Sequence, residues 1–369
     1  MNIRKHAIDR GLDFIYQTAR KRANFDEYGF DYLGCFHCLA STSKDRALRK
    51  KALDMGRERA HQWRRRNAKV PRNADPDDIA NLVSGSYSAH SLGVPDNQLK
   101  QDLRKAAAKF TAVDYFYFDP ATEPPPSDVP NDCDCGASNP RGRKTCHHCK
   151  RRLTMMTRYA VWQDAVIRTY MGERYGVRLG APYAEVIKWL PAMRPYPPYI
   201  DADDMQFYDA TYAVTHVVYT LNSYSCYQLS PRWLPAEYSF LKQNLVRAID
   251  MDDPETMGEF LDALKSFGLA EDHPLIRKGV DFLLATQNAD GSWGDVDAED
   301  IYQRYHPTWT AVDGLREYAW RGQRLCFPAL AGRLNREPVL RRSAAAAPSG
   351  AGQSGPAPAR RRRGSSPSP

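Results

Sequence analysis

Long apolar runs are missing from this sequence. An apolar stretch such as 213–218 is interrupted by Thr215 and His216. It falls far short of the roughly 20 residues that a membrane-spanning helix needs. No apolar run follows residues 1–6, so we expect no secretory signal. These absences predict a soluble, cytoplasmic protein.

Most of the chain has little excess positive charge, although the net charge of the whole sequence is +8. Residues 341–369 contain six arginines and no acid, so subtracting these charges leaves +2 for residues 1–340. This balance argues against a strongly basic nucleic-acid-binding face on the folded part. Residues 343–369 are rich in Ala, Ser, Gly and Pro, and this composition predicts a disordered basic tail.

β-Strand signals are scarce as well, because few segments alternate with a period of two. Apolar residues instead recur at the helical spacing i, i+3, i+4 and i+7. Six amphipathic segments alternate with six segments that are apolar on nearly all sides. The amphipathic ones are about 2–22, 44–65, 96–110, 182–193, 233–248 and 274–287, and the more apolar ones are about 29–42, 76–92, 154–172, 205–222, 254–268 and 305–320.

This alternation of helix types predicts the architecture. A helix with one wet face belongs on the outside of a fold, and a helix without one belongs inside. We therefore predict an all-α protein, an (α/α)6 toroid of six helical hairpins, formed by residues 1–110 and 154–335. A stacked helical solenoid is the competing architecture.

A repeat-like motif occupies residues 278–293. It consists of a basic residue and Gly, an aromatic–Leu pair, and then Gln287, Gly291 and Trp293. The motif is similar to the QW repeat of triterpene cyclases. Gln287 would end an outer helix, Gly291 would permit a tight turn, and Trp293 would fold back on the Gln amide. The resemblance supports the toroid and concerns fold rather than chemistry.

The segment 305–315, Tyr-His-Pro-Thr-Trp-Thr-Ala-Val-Asp-Gly-Leu, resembles an inner helix of protein prenyltransferase β subunits. The resemblance implies that His306 corresponds to a zinc ligand of that family. Asp209 aligns with a second ligand, the family's Asp. Thr211 stands where the family has a zinc-binding Cys, so the resemblance implies the toroid more strongly than it implies prenyl transfer.

A four-cysteine pattern lies within residues 111–153. Cys133-x-Cys135 and Cys146-x2-Cys149 form two knuckles separated by ten residues. Tetrahedral zinc needs four such thiolates, so the spacing predicts a small zinc-ribbon insertion with a structural zinc ion. The spacing resembles that of Ran-binding-protein-type zinc fingers. The favoured role of this zinc ion is structural, to hold a long loop in its fold, and contact with RNA or protein is the alternative.

Histidines and a carboxylate recur on the predicted inner helices. His37, Asp209, His216 and His306 each lie on a segment that would face the axis of a toroid. Together they predict an open His/carboxylate site for zinc or iron in a central cavity. Each histidine taken singly is better explained as a satisfied core residue.

The segment 201–204, Asp-Ala-Asp-Asp, matches the acid motif of class II terpene cyclases. The resemblance implies that Asp203 is a protonated general acid. The alternative, which we favour, is that these acids begin a helix, where the helix dipole favours negative charge.

These observations predict an enzyme with a central His/Asp site that holds a metal and acts on a partly hydrophobic, isoprenoid-like substrate. The catalytic candidates are Asp203, Asp209, His216 and His306. One alternative is a metal-free cyclase or lyase with Asp203 as acid. Another is a non-catalytic scaffold that binds RNA or protein through the zinc finger and the basic tail.

Overall fold

The computed structural model describes residues 2–201 and 204–336, and this part of the chain is helical without β-strands. It contains fourteen α-helices and one short 3-10 helix. The all-α prediction is therefore confirmed. The α-helices are α1 (Ile3–Arg20), α2 (Arg22–Thr42), α3 (Arg46–Arg66), α4 (Pro76–Ser91), α5 (Asn97–Ala107), α6 (Ala112–Phe116), α7 (Arg158–Tyr175), α8 (Tyr183–Ile187), α9 (Leu190–Met193), α10 (Met205–Asn222), α11 (Pro235–Asp250), α12 (Pro254–Ser266), α13 (Pro274–Ala285) and α14 (Tyr302–Leu315).

Six of these helices pack in a closed series. In the order α2, α4, α7, α10, α12 and α14, each helix contacts the next, and α14 also contacts α2. These six are the helices predicted to be inner. The amphipathic helices α1, α3, α5, α11 and α13 pack against members of the series.

Contacts near both ends of neighbouring helices define their direction. Near the starts of α12 and α14, Glu255 pairs with His306, and near their ends Lys265 donates to the carbonyl of Gly314. Two helices that touch start to start and end to end run parallel. Residues near the starts of α12 and α14 therefore lie at the same end of the series.

Three helices differ from their predicted bounds. The segment predicted as one helix over 182–193 forms α8 and α9, because Pro191 cannot donate to the carbonyl of Ile187 and its ring crowds that carbonyl. Helix α2 begins before residue 29 and has non-helical backbone angles at Tyr28. Helix α14 ends at Leu315, and the following chain is tied to α2 by Ala319 N donating to Thr42 O at 2.7 Å.

The cysteine insertion has a small core of its own, separate from the main one. Cys133, Cys146 and Leu153 form its buried centre. The pairing within it consists of isolated bridges, such as Thr145 with Arg152, rather than strands. The preceding residues 115–118 supply Tyr115, Phe116 and Phe118 to the main core.

The repeat-like motif fixes the end of α13. Trp293 is fully buried and donates its indole N–H to the carbonyl of Leu283 at 2.8 Å. Gln287 donates to the carbonyls of Gly291 and of Ala7 in α1, at 3.0 and 2.9 Å. Gly291 has φ +94°, which a residue with a Cβ rarely adopts. The motif therefore joins the last hairpin to the first helix.

No helix in the described residues is long and apolar enough to cross a membrane.

Candidate functional site

A cavity of about 550 Å³ lies between helices of the closed series. All three histidines named from the sequence, His37, His216 and His306, line it. Its wall is otherwise rich in aromatic and hydroxyl side chains. The aromatic lining residues are Tyr28, Phe30, Tyr87, Tyr170, Tyr212, Tyr224, Tyr302 and Trp309.

His306 is held as a cation on this wall. Its Nδ1 lies 3.0 Å from Oε1 of Glu255, and its ring stacks on Tyr302 with centroids 4.7 Å apart. Burial by itself would lower the pKa of His306. The Glu255 carboxylate, with weaker contributions from Asp31 and Glu259, outweighs burial and raises that pKa to about 9. The imidazole therefore remains protonated at neutral pH.

Glu255 is the ionised partner. Tyr212 Oη donates to its Oε1 at 2.5 Å, and Tyr208 and Tyr212 share a hydrogen bond of 2.9 Å. Burial would raise the pKa of Glu255, but the charge of His306 and the hydrogen bonds lower it below its ordinary value. A buried carboxylate that keeps its charge in this way needs both the cation and the phenol donor.

His216 has the opposite protonation state. Burial lowers its pKa to about 4, and the positive charge of His306 acts in the same direction. Its Nδ1 lies 2.9 Å from the backbone carbonyl of Tyr212. Because a carbonyl only accepts, Nδ1 carries the proton and Nε2 keeps a lone pair. Tyr212 thus contacts both systems, through its phenol and its backbone.

A second, smaller space of about 40 Å³ adjoins this wall and is lined by Glu259, Asp262 and Arg316, among others. Burial raises the pKa of Glu259 to about 8, and its Oε2 accepts from Thr215 Oγ1 at 2.5 Å. Glu259 is therefore a neutral acid at pH 7. Burial and the charge of Asp313 raise the pKa of Asp262 to about 7.

The predicted set of cavity ligands does not form one metal site. Asp209 is absent from the cavity wall, and its Oδ2 accepts from Thr157 Oγ1 at 2.7 Å. Over residues 2–201 and 204–336, the four cysteines are the only group of three or more ligand residues whose donor atoms lie within 4.8 Å of one another. The structure thus brings His37, His216 and His306 to one cavity without making them joint ligands.

Asp203 lies outside the described residues. Its neighbour Asp204 caps α10, accepting from the backbone N–H groups of Gln206 and Phe207 at 3.0 and 3.4 Å. This is the helix-start role expected of an acid at that position.

The predicted cysteine cluster is present. The Sγ atoms of Cys133, Cys135, Cys146 and Cys149 all lie within 4.8 Å of one another, and three pairs are 3.4 to 3.7 Å apart. Four thiolates at about 2.3 Å from zinc have similar mutual separations, so the residues fit this ion. The backbone N–H groups of Cys149 and His148 lower the pKa of Cys146 to about 5, which favours its thiolate form.

Sequence reasoning missed Glu255, although a signal was available. Glu255, Glu259 and Asp262 are spaced i, i+4 and i+7 on the largely buried α12, which places all three acids on one face. Such a stripe on an inner helix indicates a polar interior surface.

No family model, curated protein or solved structure matches this chain.

Proposed function

We propose that the protein is an enzyme whose active site is the central cavity, and that it catalyses proton transfer on a partly hydrophobic substrate of isoprenoid-like character. His306 is the general acid and His216 the general base. One observation carries this proposal: two histidines on one cavity wall have opposite surroundings, since His306 faces the Glu255 carboxylate and His216 is buried against the Tyr212 carbonyl. Environments that separate the pKa values of two such groups commonly mark an acid–base pair.

His306 supplies a proton and a positive charge. Its Nδ1 faces Glu255, so its Nε2–H is left for the substrate. A pKa of about 9 keeps this donor charged at neutral pH, where it can stabilise negative charge that develops on a substrate oxygen. The same pKa makes it too weak an acid to protonate an alkene, which favours elimination or isomerisation next to a carbonyl over cyclase chemistry.

His216 accepts the proton that the substrate loses. Its Nδ1–H is fixed on the Tyr212 carbonyl, so Nε2 is the basic atom. In an elimination or isomerisation, Nε2 would take a proton from carbon while His306 gives one to oxygen. Atoms and charge then balance without any further reactant.

The cavity suits a partly hydrophobic substrate. Its volume of about 550 Å³ lies within the range of small-molecule sites, and aromatic rings make up much of its wall. Trp309 adds a polar contact, because its buried indole N–H has no hydrogen-bond partner within the described residues. A substrate oxygen placed beside Trp309 and His306 would satisfy this donor.

The architecture that we propose for this site is the (α/α)6 toroid, and the closed series of six contacting helices supports it. In such a fold the inner helices enclose an axial cavity. The cysteine cluster would hold a structural zinc ion that orders the insertion, since four thiolates leave no coordination position for substrate.

Metabolite profiling in heavy water tests the proposed activity. The purified protein would be incubated in D₂O with a small-molecule extract and analysed by mass spectrometry. We expect a metabolite that gains deuterium or is converted with the wild type but not with His306→Gln or His216→Gln. Identical profiles for the wild type and the double variant would contradict the proposal.

The cysteine insertion supports a second candidate function, contact with RNA or protein. Arg143, Lys144, Lys150 and Arg152 are exposed there and have no ion pair within the described residues. Filter binding of a single-stranded RNA, with and without these four charges, measures this function separately from the cavity chemistry.

A further inference from the structure

The cavity has a second polar end, distinct from the one that holds the acid–base pair. Arg174, at the end of α7, and Arg321, in the segment after α14, both line the cavity. His37, Ser41 and Tyr87 line the same region. The last turns of α2 and α7 thus both contribute to this part of the wall.

The two guanidinium groups are not neutralised by acids. No ion pair involves Arg174 or Arg321 anywhere in residues 2–201 and 204–336. By contrast Arg168, which lines the same cavity, pairs with Asp77 at 2.6 Å. Arg174 and Arg321 therefore keep their charge available to the cavity.

The backbone holds Arg321 in position. Its N–H donates to the carbonyl of Cys226 at 2.9 Å, and the neighbouring Gly322 carbonyl accepts from Gln228 at 2.9 Å. Its guanidinium reaches the Ser41 carbonyl at 3.4 Å. A cation fixed in this way loses little conformational entropy when it binds a ligand.

Neutral polar groups complete this end. Ser41 Oγ and His37 Nδ1 are 3.1 Å apart, and the His37 ring packs edge-on against Tyr87 with centroids 5.6 Å apart. Burial and the charges of Arg174 and Arg321 lower the pKa of His37 to about 4, so His37 adds no charge of its own.

The two ends are separated along α2. Asp31, which accepts from Tyr305 beside His306, and His37 lie six residues apart on this helix. Six residues correspond to about 9 Å at 1.5 Å per residue. A group bound at the arginines thus lies well away from atoms that react at His306.

We infer that Arg174 and Arg321 form an anion subsite, which binds a carboxylate, phosphate or sulfate group of the substrate at the end of the cavity where His37 and Ser41 lie. The substrate class is an amphipathic anion with an apolar or aromatic body. The anionic group acts as a binding handle and not as a leaving group. This inference deepens the proposed function and rests on it for the position of the reacting atoms.

The charges at the two ends orient such a molecule. At the acid–base end Glu255 balances the charge of His306, whereas the two arginines have no acidic partner among the described residues and attract a negative group. Binding energy from a remote charge can then hold the reacting carbon between His216 and His306.

A pair of fluorescent probes tests the subsite. The full-length protein would be titrated with 8-anilinonaphthalene-1-sulfonate and with N-phenyl-1-naphthylamine, which lacks the sulfonate. We expect the wild type to bind the sulfonate probe at one site per chain and about 10-fold more tightly than the neutral probe. The preference should fall as salt is raised, because these arginines are partly exposed.

Arg174→Gln/Arg321→Gln should abolish this preference and leave the affinity for the neutral probe unchanged. Arg168→Gln is the matched control, since it removes a cavity arginine that already has a partner. Each single variant would be measured as well, with circular dichroism to establish that it folds. Equal affinities of the wild type for the two probes would overturn the inference.

Two outcomes separate this inference from its alternatives. Loss of thermal stability in the double variant, without loss of probe preference, would show that the arginines only neutralise the negative helix ends and would overturn the subsite. His306→Gln and His216→Gln should keep the probe preference. A protein that retains the preference but shows no turnover would contradict the proposed function while leaving the subsite intact.

Discussion

Replacing Glu255 by Gln should release the proton of His306. The substitution keeps the size of the side chain and an oxygen for the Tyr212 phenol, but it removes the charge 3.0 Å from His306 Nδ1. Burial then lowers the pKa of His306 without the Glu255 charge that opposes it. We expect its pKa to fall from about 9 to the ordinary 6.5 or lower.

The magnitude follows from that fall. A drop from about 9 to 6.5 corresponds to a loss of about 3 kcal/mol of preference for the protonated imidazole. At pH 7.5 His306 would change from roughly nine-tenths protonated or more to roughly one-tenth. Any activity that depends on this acid should fall in proportion.

Stability should follow the same group. The folded-state pKa of His306 is raised, so its contribution to the free energy of unfolding is complete below about pH 6.5 and is lost as pH rises through about 9. The variant lacks this contribution. The free energy of unfolding of the wild type should therefore exceed that of Glu255→Gln by up to about 3 kcal/mol at pH 6 and by much less at pH 9.5.

Two measurements check the effects of Glu255→Gln. NMR titration of the His306 ring carbon gives its pKa directly, and urea unfolding at pH 6 and pH 9.5 gives the stability difference. Glu185→Gln is the control, because Glu185 pairs with Lys188 and does not line the cavity, so it should leave the pKa of His306 unchanged. A His306 pKa that stays above 8.5 in Glu255→Gln would refute the reasoning and make Asp31 the residue that holds the charge.

Three further predictions concern other parts of the molecule. Cys146→Ser/Cys149→Ser should release one zinc ion and loosen the insertion with little loss of helix, because the cysteine cluster has its own small core. Metal analysis and circular dichroism measure the two effects, and global unfolding would contradict the prediction. The wild type should lose stability as pH rises from about 4.5 to 8, because the raised carboxyl pKa of Glu259 makes its ionisation in the folded state unfavourable. Glu259→Gln should not show this loss. In urea unfolding, the free energy of unfolding of the variant relative to that of the wild type should be higher at pH 8 than at pH 5. Gly258→Ala should cost about 3 kcal/mol or more, because the added Cβ would lie 2.3 Å from the backbone of Thr310, and an unchanged melting temperature would exclude this close approach of α12 and α14.

Helix positions could be predicted from the sequence because they depend on short-range patterns. The period of apolar residues placed α10 at Met205–Asn222, within the limits that the sequence indicated. The departures have local causes. Pro191 splits the helix predicted over 182–193, and a kink at Tyr28 lies where α2 extends beyond its predicted start.

The candidate site was predicted only in part. His37, His216 and His306 line one cavity, because each lies on a helix of the inner series. Asp209 lies on the same helix as His216 but pairs with Thr157 instead. Helical spacing relates residues within one helix, and it does not specify which neighbouring helix a side chain meets.

The sequence by itself determined the features whose parts are close along the chain. The four cysteines lie within 17 positions, and Gln287, Gly291 and Trp293 lie within seven, so the local turns bring their atoms together. The tertiary structure alone decided which groups are ionised. A pKa depends on burial and on charges a few ångströms away, and the partner of His306 is Glu255, on a different helix and 51 positions earlier. The rotation of α12 against α14 sets that contact, and it results from the packing of the whole helical series.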